Sequence, residues 1–577
     1  MNGGDIIARV LKNQGVKFLF TLCGGHISPI LVGAKHQGIR VIDVRQEPTA
    51  VFAADAVSRL TGIPGVAAVT AGPGVTNSIT ALKNAQMAQS PLILLGGAPP
   101  TVLKGRGALQ DIDHLKLVKT VVKWAVSINQ DCDIVPAFEE AFDVSRSGVP
   151  GPVFIECPLD LLYDKALVQE WYLRKSGKAL TYSEKAINWY LRRHVDKIFA
   201  CSGKSLDLAG KESMTPFSVD PEKVQNVRHR LSQAKAPILV IGSQATLFPD
   251  KVRQLSEQLR NFGIPTYLTG MARGLMGADH PMLFRHQRAQ ALKKADLVMI
   301  AGMPCDFRLD YGRVINPKAF YIAINRSKDD LKKNKKPHMA ILQDPCMFLL
   351  ELTAKAESAQ DQFSSWVEQL KDRDSLKNQK IKETASRLTE FINPLLLCEK
   401  INAALDNDSI IIGDGGDFVG TASYIVKPRK PLSWLDPGAF GTLGVGAGFA
   451  IAAKLVRPDA EVWLLYGDGA AGYGLIEQDT FVRHALPIIT VIGNDAGWTQ
   501  IARDQKVVLG DDVGTVLQYS KYHKTAESLD AEGLLLEDDK KIDRVLESAK
   551  KKAREGRPVL VNAFLGQTDF RKGSISV

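Results

Sequence analysis

Four times in its first hundred residues the chain runs through a short apolar segment and breaks into a polar turn. Phe18-Leu19-Phe20-Thr21-Leu22 meets Gly24-Gly25, and Val41-Ile42-Asp43-Val44 meets Glu47. Val66-Ala67-Ala68-Val69-Thr70 meets Gly72-Pro73-Gly74, and Leu92-Ile93-Leu94-Leu95 meets Gly96-Gly97. Helical segments separate these runs. Strand, turn and helix repeated in that order predict right-handed βαβ units around a parallel sheet. That rhythm commits the chain to the α/β class, with open, doubly wound sheets.

At 577 residues the chain exceeds what one core can serve, and length alone suggests about three or four domains. The rhythm returns twice. Ile238-Leu239-Val240-Ile241, Leu297-Val298-Met299-Ile300 and Tyr321-Ile322-Ala323-Ile324 mark a second unit, and a third holds the last strands. The expected division is 1–165, a linker 166–221, a central domain 222–354, a charged connector 355–392 and a final domain 393–577. Inside the linker Ile187, Tyr190, Leu191, Val195, Ile198 and Phe199 recur at helical spacing, with Arg192, Arg193 and Lys197 between them. Such a stripe packs on its own protein or lies on a membrane surface.

The formal net charge is +10, which suits a phosphorylated ligand or simply a solvated basic surface. No nucleic-acid-binding motif accompanies it, so nucleic acid is not expected. Seven cysteines (Cys23, Cys132, Cys157, Cys201, Cys305, Cys346, Cys398) are scattered without Cys-x-x-Cys spacing. Reduced thiols are therefore expected, rather than a disulfide framework or a zinc site. Residues 1–5 lack the apolar segment of a signal peptide, and no run reaches about 18 apolar residues.

Near the carboxyl end Leu464-Leu465-Tyr466-Gly467-Asp468-Gly469 and Ile488-Ile489-Thr490-Val491-Ile492-Gly493-Asn494-Asp495-Ala496-Gly497 both read as strands ending in tight turns. Asp468 and the Asn494/Asp495 pair would then lie at the carboxyl ends of parallel strands, where open sheets bind ligands. Such groups offer hard oxygen ligands to Mg²⁺, which completes its octahedron with phosphate oxygens. As isolated pieces, both turns could equally be structural.

Together these turns resemble the thiamine diphosphate signature of the acetolactate synthase, benzaldehyde lyase and 2-hydroxyacyl-CoA lyase superfamily, over nearly the whole chain. The resemblance implies pyrimidine-binding, central and diphosphate-binding domains, with thiamine diphosphate and Mg²⁺ as cofactors. Glu47 matches the strand-end glutamate that faces the cofactor's pyrimidine, although Gln46 stands where many relatives have His. Gly72, Pro73 and Asn77 match the pyrimidine-contacting turn. Asp436-Pro437-Gly438-Ala439-Phe440-Gly441-Thr442-Leu443-Gly444 resembles the segment beneath the cofactor, with Gly441 in its turn and Leu443 as the wedge between the rings. Gly415, Gly416 and Asp417, with Gly467, Gly469 and Ala470, fall at the diphosphate. Asp468 is the implied metal ligand, with Asn494 or Asp495 as the second and the Gly497 carbonyl as a third. His26, in Gly24-Gly25-His26-Ile27-Ser28, matches a proton-shuttling histidine of the lyases, and Gln110 a polar active-site position.

Within the superfamily the runs 434–449, 493–500 and 568–575 are most similar to the animal acetolactate synthase-like proteins, regarded as 2-hydroxyacyl-CoA lyases of the second type. That similarity implies cleavage of a 2-hydroxyacyl-CoA to formyl-CoA and an aldehyde one carbon shorter, as in fatty acid α-oxidation. It also implies a homodimer or homotetramer at the endoplasmic reticulum membrane. Animal members carry an N-terminal anchor that this sequence does not show, so membrane association would need a missing anchor or the 187–199 helix. Two alternatives stand: an acetolactate synthase acting on pyruvate, and a non-catalytic cofactor-binding partner protein. Flavin or nucleotide binding in the central unit, through Gly270-Met271-Ala272-Arg273-Gly274 and Asn325-Arg326, stays open.

Overall fold

The apolar runs are strands, and they pair in parallel in three six-stranded sheets. The computed structural model describes residues 2–173, 181–201, 208, 218–354 and 361–573. The first sheet contains β1 (Phe18–Thr21), β2 (Arg40–Asp43), β3 (Gly65–Val69), β4 (Leu92–Ala98), β5 (Trp124–Ser127) and β6 (Pro152–Pro158), in the order β2-β1-β3-β4-β6-β5. The second contains β7 (Pro237–Ile241), β8 (Thr266–Leu268), β9 (Leu283–Phe284), β10 (Leu297–Ala301), β11 (Phe320–Asn325) and β12 (Met339–Leu342), in the order β12-β11-β10-β7-β8-β9. The third contains β13 (Ile410–Asp414), β14 (Trp434–Leu435), β15 (Val462–Gly467), β16 (Ile488–Asn494), β17 (Glu532–Leu536) and β18 (Val559–Phe564), in the order β14-β13-β15-β16-β18-β17.

Every residue of β3, β4, β6, β7, β10, β13 and β16 is buried. Continuous apolar strands are what a sheet covered by helices on both faces requires. The winding reverses between β1 and β3, between β7 and β10, and between β13 and β15, and in the first and third sheets it turns back again at the far edge, where β5 and β17 lie outside β6 and β18. Open sheets of this kind bind ligands at such reversals, beyond the carboxyl ends of the strands.

Contacts divide the chain into two compact units. One comprises Met1–Ser58 and Ile63–Met214, and the other Arg59–Gly62 and Thr215–Val577. The first holds one sheet, the second holds two.

One feature of the first unit differs from expectation. Cys132 and Cys201 form a disulfide across 69 positions, which corrects the expectation of reduced thiols throughout. The pairing is tertiary: the helix Tyr182–Ile198 returns its end to the loop before the helix Ile134–Arg146, and no spacing rule reports that. The other five cysteines are free, Cys23 exposed and the rest buried. In the linker helix Val195, Ile198 and Phe199 are buried, but Ile187 and Tyr190 face outward. Of the distinguishing run 568–575, positions 574 and 575 lie outside the described residues. Among the described residues no helix is long and apolar enough to cross a membrane.

Candidate active site

In the first unit the residues of interest gather beyond the ends of β1, β2 and β3. Glu47 opens the helix Glu47–Thr61 just after β2 and is 9% exposed. Its Oε2 accepts a hydrogen bond from Asn77 Nδ2 at 3.1 Å, so the pair singled out in the sequence does meet. Asn77 ends the short helix Pro73–Asn77, which begins at Pro73 because that ring already has a helical φ and needs no donor. Gly72 precedes it at φ 61°, and a Cβ there would come within 2.9 Å of Gln110. Only glycine fits that approach.

His26 and Gln110 are joined through Thr70. Thr70 Oγ1 donates to Gln110 Oε1 at 3.3 Å and lies 3.2 Å from His26 Nδ1. With its own proton committed to Gln110, the hydroxyl accepts from Nδ1–H, which leaves His26 Nε2 as the basic nitrogen. Burial, then the neighbouring His114, pushes the His26 pKa below its ordinary value. The ring is therefore neutral near neutral pH.

Beneath this cluster lies a relay that sequence reasoning missed. His114 Nε2 accepts the Gly72 N–H at 2.8 Å, and its Nδ1 lies 2.9 Å from Glu156 Oε1. His114 and Glu156 are 0% and 1% exposed. Burial raises the Glu156 pKa, but hydrogen bonds from His114, Lys104 and Ser127 prevail and hold it at about 2. Neither residue sits in a motif, so no local signal could have found them.

In the second unit the site forms around the reversal between β13 and β15. Gly415, at φ 144°, brings its backbone so close to Gly467 that a Cβ would lie 2.8 Å from the Gly467 nitrogen. Gly416 caps the helix Asp417–Ile425, and Asp417 is ion-paired to Arg503 at 2.5 Å. Asp414, absent from the sequence reading, is fully buried at the end of β13 and accepts the N–H groups of Gly444 at 3.0 Å and Gly446 at 2.8 Å. Burial pushes its pKa up to about 7 despite those bonds. This carboxyl fixes the turn that presents Leu443, which is half-buried, while Gly441 stands exposed at φ 66°.

Asp468 begins the turn Asp468–Ala471, with Ala470 buried inside it. Its Oδ1 accepts the Gly469 N–H at 2.8 Å, and its Oδ2 the Gly497 N–H at 3.0 Å. β15 and β16 run side by side with Gly467 opposite Gly493, so Asp468 and Asp495 emerge together. The two carboxyls lie close enough for each to shift the ionisation of the other. Burial, countered by hydrogen bonds, moves Asp468 up to about 6; burial and the Asp468 charge move Asp495 up to about 7. Asn494 turns elsewhere: its Nδ2 donates to Ser520 O at 3.2 Å and Asn562 Oδ1 at 3.3 Å.

Two adjoining carboxyls at the ends of paired strands offer hard oxygen donors, which suit Mg²⁺. The donor chemistry thus fits a metal-held diphosphate, and the Glu47–Asn77 pair fits a polar heteroaromatic ring.

Three domain models match the chain in order. They are the thiamine pyrophosphate enzyme N-terminal TPP binding domain over residues 1–117, the central domain over 224–352 and the C-terminal TPP binding domain over 414–563. The chain belongs to the thiamine pyrophosphate enzyme family. Among its relatives, 2-hydroxyacyl-CoA lyase 2 of Danio rerio is 49% identical over 100% of this chain and 93% of its own length. The human protein of the same name is 48% identical over 100% and 92%. Acetolactate synthase large subunit IlvG of Mycobacterium tuberculosis is 32% identical over 98% and 96%.

Proposed function

We propose that the protein is a thiamine diphosphate- and Mg²⁺-dependent lyase that cleaves a 2-hydroxyacyl-CoA to formyl-CoA and an aldehyde one carbon shorter. The observation that carries this reading is the end-to-end 49% identity to a protein called 2-hydroxyacyl-CoA lyase 2, against 32% to one called acetolactate synthase. The His26–Thr70–Gln110 chain supports it, because the cleavage needs a base at the substrate hydroxyl.

The cofactor, when bound, supplies a carbon nucleophile and a sink for the electron pair released by carbon–carbon cleavage. Glu47 holds a proton at the pyrimidine nitrogen, and Asn77 keeps the carboxylate in place. Leu443, set by Asp414 through Gly444, would pack against the cofactor's rings. Asp468, Asp495 and the Gly497 carbonyl would hold Mg²⁺, and the backbone of Gly469 and Ala470 would meet the diphosphate. Asn494 braces the strand end instead. His26 Nε2 accepts the hydroxyl proton as the aldehyde leaves, and the same ring returns a proton on release. One proton leaves the substrate oxygen and one arrives at the formyl carbon, so the reaction balances without an oxidant.

In this reading the active enzyme is a homodimer or homotetramer. Incubating the purified protein with a chain-length series of 2-hydroxyacyl-CoA, and separately with pyruvate, tests the assignment. The expected products are formyl-CoA and a shortened aldehyde. Acetolactate from pyruvate, with no cleavage of any acyl-CoA, would overturn it.

A further inference from the structure

The helix Tyr182–Ile198 has two faces of opposite kind. Asn188, Val195 and Ile198 are buried on one side. Tyr182, Trp189 and Tyr190 stand on the other, 91%, 62% and 52% exposed. At 3.6 residues per turn, Lys185, Arg192, Arg193 and Lys197 fall on that same outward side, all exposed. The cations lie among the rings: Lys185 Nζ is 5.6 Å from the Tyr182 centroid, and Arg193 Cζ 5.6 Å from that of Trp189. The acid on this side, Asp196, is taken by Lys165 at 2.8 Å. Among the described residues none of the four outward cations is in an ion pair.

The helix is also held so that it cannot roll its rings inward. His194 Nε2 lies 2.7 Å from Thr101 Oγ1, and the Cys201 N–H donates to Asp131 Oδ1 at 2.9 Å. The Cys132–Cys201 disulfide closes the end. Thr181 and Glu184 cap the beginning reciprocally.

We infer that this face docks on an anionic lipid surface. Tyrosine and tryptophan favour the headgroup layer, where an apolar ring and a polar tip are both satisfied. Unpaired lysine and arginine among them supply attraction to acidic headgroups. A face made for a second copy of the chain would be depleted of lysine, whereas here Lys185 and Lys197 stand exposed beside the rings. The inference is independent of the catalytic reading, since no residue of the candidate site is involved.

Sedimentation of the full chain with phosphatidylcholine vesicles, with and without phosphatidylserine, tests it. The wild type is expected to pellet with the acidic vesicles, to remain largely in solution with the neutral ones, and to be released by added salt. Arg192→Gln with Arg193→Gln is expected to weaken partitioning roughly thirtyfold. Trp189→Ala with Tyr190→Ala is expected to remove the salt-resistant fraction, with both variants melting like wild type. No pelleting of the wild type with acidic vesicles, or variants that pellet unchanged, would overturn the inference. So would a drop in oligomeric mass in either variant, which would assign the face to a second copy.

Discussion

Glu47 and Asp414 are both buried carboxyls, yet their surroundings set them opposite tasks. Glu47 has an amide donor in Asn77 and retains 9% of its surface exposed. Replacing it with Gln keeps the Asn77 contact possible but removes the acid, so turnover should fall by about 10²- to 10⁴-fold with an unchanged melting temperature. Steady-state assays of the two proteins check this; equal turnover would revive the non-catalytic reading. Asp414 is enclosed by backbone N–H groups, and its pKa stands at about 7 against an ordinary 3.8. The folded state therefore binds this proton more tightly than the unfolded chain. Its contribution to stability is fully present below the ordinary value and is lost as pH rises through about 7. Asp414→Asn should flatten that part of the metal-free protein's decline in melting temperature across this window, measured by thermal melts in a pH series. His114→Phe should cost about 1–3 kcal/mol in denaturant unfolding, because the Gly72 N–H loses its acceptor in a buried site.

At the scale of elements, the strand ends were legible because their signals are local. Gly72 at the end of β3, and Gly415 and Gly467 at the ends of β13 and β15, are turn residues following apolar runs, and period and turn chemistry are read from neighbours in sequence. The relay from Gly72 through His114 to Glu156 was not legible, since its members lie 42 positions apart at each step. The same holds for Asp414, whose donors Gly444 and Gly446 lie 30 and 32 positions further on. The linker helix was visible as a helix, but which of its apolar positions pack was not, because Ile187 and Tyr190 share the spacing of Val195 and Ile198 without sharing their packing. The disulfide that ends this helix closes a long loop. Cys132→Ser should destabilise the first unit by roughly 4 kcal/mol on the loop-entropy account, measured by denaturant unfolding with and without reductant.

At the scale of the whole molecule, the chain has three doubly wound sheets, and the proposed site draws on the strand ends of two of them. The first unit carries the acid–amide pair, and the second carries the adjoining carboxyls. Thiamine diphosphate with Mg²⁺ should therefore raise the melting temperature well beyond Mg²⁺ alone, and Asp468→Asn should abolish that rise. The central claim is that Glu47 switches on a coenzyme held through Asp468 and Asp495. Deuterium exchange at the thiazolium carbon of the bound coenzyme reports this without any substrate. The account predicts rapid exchange in the wild-type holoenzyme and exchange slowed by about 10²-fold or more in a Glu47→Gln holoenzyme that still binds the coenzyme. Equal exchange rates in the two loaded proteins would contradict it.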